Sequence, residues 1–120
     1  MTDIQRTKKY DLEERTLNFA RRVIALVNRL PKTLTNLEIG KQLVKSAGSV
    51  GANYIEANEA LSKKDFGVRI KICRKESKES RYWLRLVNVH NIKDGRERDS
   101  LIQGATELMK IFGSILEKLK

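Results

Sequence analysis

The chain contains one cysteine, one histidine and one proline in 120 residues, and each scarcity excludes a class of protein. A lone Cys73 has no partner for an intrachain disulfide, and on the apolar seam of a helix it reads as a small buried hydrophobe. A lone His90 rules out a histidine-rich metal site, and no Cys or His cluster supplies ligands. Carboxylate di-metal bundles use Glu-x-x-His from paired helices, which does not occur here. No metal and no cofactor are therefore expected. No stretch approaches the ~18 uninterrupted apolar residues of a membrane span. The opening MTDIQRTKKY lacks the apolar run of a secretory signal, so a cytoplasmic protein with no membrane partner is expected. Seven aromatic residues leave few platforms for stacking a base, Tyr10 and Tyr82 being the two candidates.

What is abundant is positive charge, a net +10. Residues 63–85 hold nine Lys or Arg against three acids, which places +6 of that charge on one segment. Such a surface favours polyanions, nucleic acid or an acidic lipid surface, and otherwise serves only to keep a helix face solvated.

The same segment has the strongest periodicity. Phe66, Ile70, Cys73, Ser77, Ser80, Leu84 and Val87 alternate at spacings of four and three, the seam of a long helix. On a helical wheel Lys63, Lys71, Arg74, Lys75, Lys78, Arg81 and Arg85 share an arc of roughly 120°. Val68, Ile72, Trp83 and Leu86 occupy a third arc, apolar and away from the basic one, suited to packing or subunit contacts.

Along the chain, residues 1–10 read as a loose basic tail and 11–120 as a single domain. The helices are predicted at about 11–30, 36–60, 63–90 and 95–118. The starts come from Asp11-x-x-Glu14, Thr35-x-x-Glu38, Ser62-x-x-Asp65 and Asp94-x-x-Glu97. Helix 1 carries the seam Leu12, Thr16, Phe19, Val23, Leu26 and Leu30, widened by Ile24 and Val27, and ends before Pro31. Helix 2 turns small residues inward, Gly40, Ala47, Gly48, Gly51 and Ala52, beside Leu43, Val44, Val50 and Tyr54. A mid-helix glycine costs about 1 kcal/mol relative to alanine, so three imply the close approach of a neighbouring helix. A phosphate-binding loop would need G-x-x-x-x-G-K after a strand, and neither is present. Helix 4 has the seam Leu101, Ala105, Leu108, Phe112, Ile115 and Leu119. Short loops between four helices predict an all-α, antiparallel up-down-up-down four-helix bundle.

Catalytic constellations are sparse. Cys73 and His90 lie seventeen residues apart, about 25 Å along a straight helix. Glu56, Glu59, Glu76 and Glu79 read as partners for nearby Lys and Arg rather than a general acid and base. Arg85-Leu-Val-Asn-Val-His90 resembles the R-x4-H motif of HEPN ribonucleases, with Leu86 where those enzymes usually carry a polar residue. The reading is of a protein that is not an enzyme.

Three ordered blocks carry a longer resemblance. They are Tyr10-Asp-Leu-Glu-Glu-Arg-Thr16 leading to Phe19-Ala20, then Gln42-Leu-Val-Lys-Ser46 with Ser49-Val-Gly-Ala-Asn53-Tyr-Ile-Glu56, then Ser62-Lys-Lys-Asp-Phe66 running on to Arg81-Tyr-Trp-Leu-Arg85. Over about residues 10–90 the chain resembles the bacterial four-helix-bundle proteins encoded in intervening sequences of 23S rRNA genes. The resemblance implies a left-handed bundle assembled into a ring-like homo-oligomer, typically a pentamer. Similar bundles serve as accessory subunits of the reverse transcriptases of diversity-generating retroelements, where a basic barrel contacts RNA and the enzyme. On that footing the expected function is RNA or other nucleic-acid binding through Lys71, Arg74, Lys75, Lys78, Arg81 and Arg85. Val68, Ile72, Trp83 and Leu86 would then meet other subunits. The alternative is a scaffold for a protein partner such as a reverse transcriptase.

Overall fold

The computed structural model describes the backbone of residues 3–120 and the side chains from Leu12 onward. It holds four helices, α1 (Asp3–Arg29), α2 (Leu34–Asn58), α3 (Lys63–Leu86) and α4 (Ile92–Lys118), and no strand among the described residues. Each helix packs on its neighbour in the chain and α4 returns to α1, while the diagonal pairs do not adjoin.

Helix ends differ from the expected ones where local chemistry offers a better cap. The α1 helix runs through residues 3–10, where a loose tail was expected, so Asp11 lies within the helix instead of starting it. That stretch contains no Gly or Pro to stop helix propagation. Thr33, not Thr35, caps α2, its side chain accepting from the Asn36 N–H at 3.2 Å. Ser62 caps α3 as expected, accepting from Asp65 N–H at 3.0 Å. The α3 helix ends at Leu86 rather than near His90, because Val87 is buried in an extended conformation, φ −67° and ψ 145°. Asn91, not Asp94, caps α4, accepting from Asp94 N–H at 2.8 Å.

The expected seam of α1 is buried in full: Leu12, Thr16, Phe19, Val23, Leu26 and Leu30. It meets Leu43, Val50, Ile70, Leu84, Leu101, Leu108 and Phe112 in one core. Two of the three inward glycines behave as expected. A Cβ on Gly40 would sit 3.1 Å from Val27 Cγ1, and one on Gly51 3.1 Å from Thr16 Oγ1, so both let α1 approach α2. Gly48 and Ala52 are exposed instead, and nothing lies within 4 Å of a Cβ built on Gly48. Ile24 is likewise exposed and does not widen the seam. Leu17, Ile24, Leu37 and Ile55 with Gly48 and Ala52 leave an apolar stripe on the outside of α1 and α2.

The seams differ in kind. Between α2 and α3 the buried contacts are small and uncharged: Ser46 Oγ meets Ser80 Oγ, and Cys73 Sγ donates to the Val50 carbonyl at 3.4 Å, with Arg69 donating to Asn53 Oδ1 at 3.1 Å at the exposed edge. Burial pushes the Cys73 thiol up to about 12. Between α1 and α4 they are ionic. Arg15 pairs with Glu107, Arg22 with Glu97 at 2.8 Å and Arg29 with Asp94 at 2.9 Å, the α1 numbers rising as those of α4 fall. The hydrogen bond from Arg22 holds the Glu97 carboxyl below its ordinary value, and Glu97 in turn raises Arg22. At one end buried Asn36 ties two loops together. Its Oδ1 accepts from Asn88 N–H at 2.9 Å, and its Nδ2 donates to the carbonyls of Asn88 at 3.0 Å and Pro31 at 3.1 Å.

Candidate nucleic-acid interface

Because the seam of α3 is consumed by the core, the remainder of the helix must face outward. Lys71, Arg74, Lys75, Lys78 and Arg85 are exposed, whereas Arg81 is half-buried. Two of the row lean on α4: Arg81 Nη1 reaches Thr106 Oγ1 at 3.4 Å, and a Cβ on Gly113 would stand 4.0 Å from Arg74 Cδ. Arg74 thus lies along the glycine, and Arg81 donates one N–H to the threonine hydroxyl while its remaining donors stay available. From Lys71 to Arg85 the row extends about 20 Å along the helix axis.

The row is also electrostatically uncommitted. Among the described residues its one ion pair is Lys75 to Glu76, at 3.9 Å. Three arginines of α1 present the opposite case, since Arg15, Arg22 and Arg29 all hold carboxylates of α4. Expected ion pairs at Glu56, Glu59 and Glu79 are absent among the described residues. Glu76 instead sits half-buried one turn from Glu79, and burial, then Glu79, raises its pKa. Apart from the 3.9 Å pair of Glu76 with Lys75, the acids of α3 do not neutralise the row.

The apolar arc divides. Trp83 is half-buried against the core and Ile72 is half-buried, whereas Val68 and Leu86 are exposed. Tyr82 is exposed beside the basic row, its ring centroid 5.0 Å from that of Trp83 at 72°. Tyr10, the other stacking candidate, lies outside the residues whose side chains are described. Arg85 stands in the last turn of α3, and His90 is exposed in the connection that follows. With the helix ended at Leu86, the two do not share one helical frame. No helix is long and apolar enough to cross a membrane among the described residues.

A single, row-bearing helix within a four-helix chain can be set beside known proteins. Residues 8–114 match the family described as 23S rRNA-intervening sequence protein. The chain belongs to that family. A search of curated proteins finds no match. Among solved structures, this 23S rRNA-intervening sequence protein is similar to a protein of unknown function from the S23 ribosomal protein family of Bacteroides thetaiotaomicron. The two are 30% identical over 88% of this chain and 97% of that one, with a TM-score of 0.73. Neither description names a reaction, a ligand or an assembly.

The apolar stripe on α1 and α2 was missed in the sequence. Its signal lay in Leu17 and Ile55, which fall off the predicted seams, whereas Ile24 and Gly48 read as inward-facing and only the structure exposes them.

Proposed function

We propose that this family member is a non-enzymatic, oligomeric RNA- or nucleic-acid-binding module whose phosphate-binding surface is the basic row of α3. The observation that carries the reading is the contrast between two sets of cations. Those of α1 that face α4, Arg15, Arg22 and Arg29, are spent on Glu107, Glu97 and Asp94, while Lys71, Arg74, Lys78, Arg81 and Arg85 have no carboxylate partner among the described residues. Phosphates are the partners such a row suits, and contacts of this kind are indifferent to sequence and strongly dependent on salt. The separation of Arg85 from His90 by the end of α3 supports a non-catalytic role.

The proposal includes an antiparallel, left-handed up-down-up-down bundle, supported by the opposed numbering of the α1–α4 pairs. It also includes a ring-like homo-oligomer, a pentamer by family resemblance. A head-to-tail ring needs two different patches on each subunit. The bundle offers two: the stripe on α1 and α2, and the arc of Val68, Ile72, Trp83 and Leu86 on α3.

The test is a salt titration of binding to structured RNA, wild type beside a variant with Arg74, Lys78, Arg81 and Arg85 all changed to Glu. The expected result is a steep log–log slope that flattens by about 0.7–0.9 for each phosphate the variant no longer neutralises. Equal affinity and slope in the variant would overturn the reading. A second reading, a scaffold for a protein partner such as a reverse transcriptase, is favoured by the exposure of Val68 and Leu86 beside Trp83. Capture of that partner would then survive nuclease treatment.

A further inference from the structure

We infer that Tyr82 is a base-stacking platform set within the cationic row, so that the nucleic acid bound at α3 presents an unpaired nucleotide there. The inference rests on the nucleic-acid reading above and adds the form of the ligand.

Tyr82 is 57% exposed, and every other exposed large apolar side chain among the described residues is Leu, Ile or Val. It is thus the one described aromatic among the exposed side chains. Two of its four helical neighbours are cations, Lys78 four residues before it and Arg85 three after it, with Lys75 a further turn back; Glu79 three before it and Leu86 four after it border the platform on its other side. The ring is braced from behind. Trp83, half-buried on the core, holds it in an edge-on contact with centroids 5.0 Å apart. An aromatic ring with two side-chain torsions, one neighbour already fixed, has little freedom left to lose when a base stacks on it.

This combination is what single-stranded nucleic acid recognises: a π-face for the base and point charges for the phosphates on either side. Every base has a π-face, so the site discriminates by strandedness and not by sequence. A duplex keeps its bases stacked on one another and meets only the cations. A strand or loop with an unpaired base meets the cations and Tyr82 together.

The experiment compares wild type, Tyr82→Ala and Tyr82→Phe on an oligouridylate and on a blunt RNA duplex of equal length. Tyr82→Ala is expected to weaken oligouridylate binding about 5- to 150-fold, with duplex affinity and salt slope unaltered. Tyr82→Phe keeps the wild-type preference. Trp83 is the only tryptophan, so its emission should change on oligouridylate binding in wild type and not in Tyr82→Ala. No loss in Tyr82→Ala, or an equal loss on both ligands, overturns the inference. So does dissociation of the assembly in Tyr82→Ala with RNA affinity intact, which would make Tyr82 a subunit contact. If the four-Glu variant loses binding while Tyr82→Ala does not, stacking alone fails. If neither ligand binds wild type, the phosphate-binding reading falls with it.

Discussion

Ser46 Oγ and Ser80 Oγ lie 2.9 Å apart in the seam between α2 and α3, both side chains buried. Ser80 Oγ also reaches the Glu76 carbonyl at 2.9 Å, and Ser46 Oγ the Leu43 carbonyl at 3.2 Å. Two hydroxyl protons thus serve three acceptors, and each serine can fall back on its own helix if the other is removed. Ser46→Ala is expected to lower unfolding free energy by about 1 kcal/mol, the net worth of one hydrogen bond. Ser46→Ala with Ser80→Ala should cost less than the sum of the two single changes, because the shared bond is removed only once. A double-mutant cycle by denaturant titration checks this.

The glycines of α2 should respond in opposite ways. Gly48→Ala meets no neighbour and gains helix propensity, so the isolated chain should be stabilised by up to about 1 kcal/mol. Gly51→Ala drives a methyl toward Thr16 Oγ1 and should lose most or all of that gain. Thermal midpoints at low protein concentration separate the two. If the outer stripe of α1 and α2 is a subunit contact, Gly48→Ala will also weaken assembly in sedimentation.

Of the α1–α4 pairs, Arg29 with Asp94 should matter most. The Asp94 side chain is 6% exposed, and its only other side-chain partner is Asn91 Nδ2 at 3.3 Å. Arg29→Ala is expected to cost about 1.5 kcal/mol by leaving that carboxylate underpaired. Arg22→Ala breaks a pair at the surface and should cost less than about 1 kcal/mol. Urea denaturation of both variants ranks them.

The pH dependence carries two opposed signs. Folding raises Glu76, so its ionised form is disfavoured in the bundle. The penalty is absent below the unfolded carboxyl pKa and complete above the folded one. Glu76→Gln should therefore raise the melting temperature at pH 7, and the advantage should shrink as pH falls toward the ordinary glutamate range. Folding lowers Glu97. Its contribution is present above the unfolded pKa and is lost as pH falls through the folded value, so Glu97→Gln should destabilise at pH 7 and less so in acid. Melting curves across pH 3–8 (a range set by ordinary carboxyl values) test both signs.

Cys73 should be inert in the folded chain. With the thiol pushed up to about 12, almost no thiolate exists at neutral pH. A thiol reagent is expected to label it only after denaturant unfolds the bundle; labelling at full speed in buffer would contradict its burial.

The four helices and their buried seams were legible because apolar spacing reports which face a helix hides. Leu12 through Leu30 and Leu101 through Phe112 depend on nothing beyond that spacing. Helix ends were less legible. Asn91 outcompetes Asp94 as a cap, and Val87 leaves the helix to fill the core, outcomes decided by packing and not by the local pattern. Asn36 carries no sequence signal at all, since its partners Pro31 and Asn88 are brought to it by separate loops. The basic row could be read from the helical wheel, but its freedom from carboxylates could not. Glu76 and Glu79 stand close enough in sequence to neutralise it, and only the structure shows Glu76 half-buried beside Glu79 with Lys75 as its single partner in the row.

Three arginines seven residues apart close the bundle along α1 and α4, the sparsest of its four seams. The pairs of Arg15 and Arg22 are exposed and screened by salt, that of Arg29 with buried Asp94 less so, whereas the small buried contacts between α2 and α3 are not screened. The molecule therefore has a spine and a fore-edge. Raising ionic strength should loosen α1 from α4 first, so backbone amides facing that seam would exchange with solvent sooner than those of α2 and α3. The salt that would screen the phosphate contacts proposed for the α3 row would thus also unfasten the seam on the far side of α4.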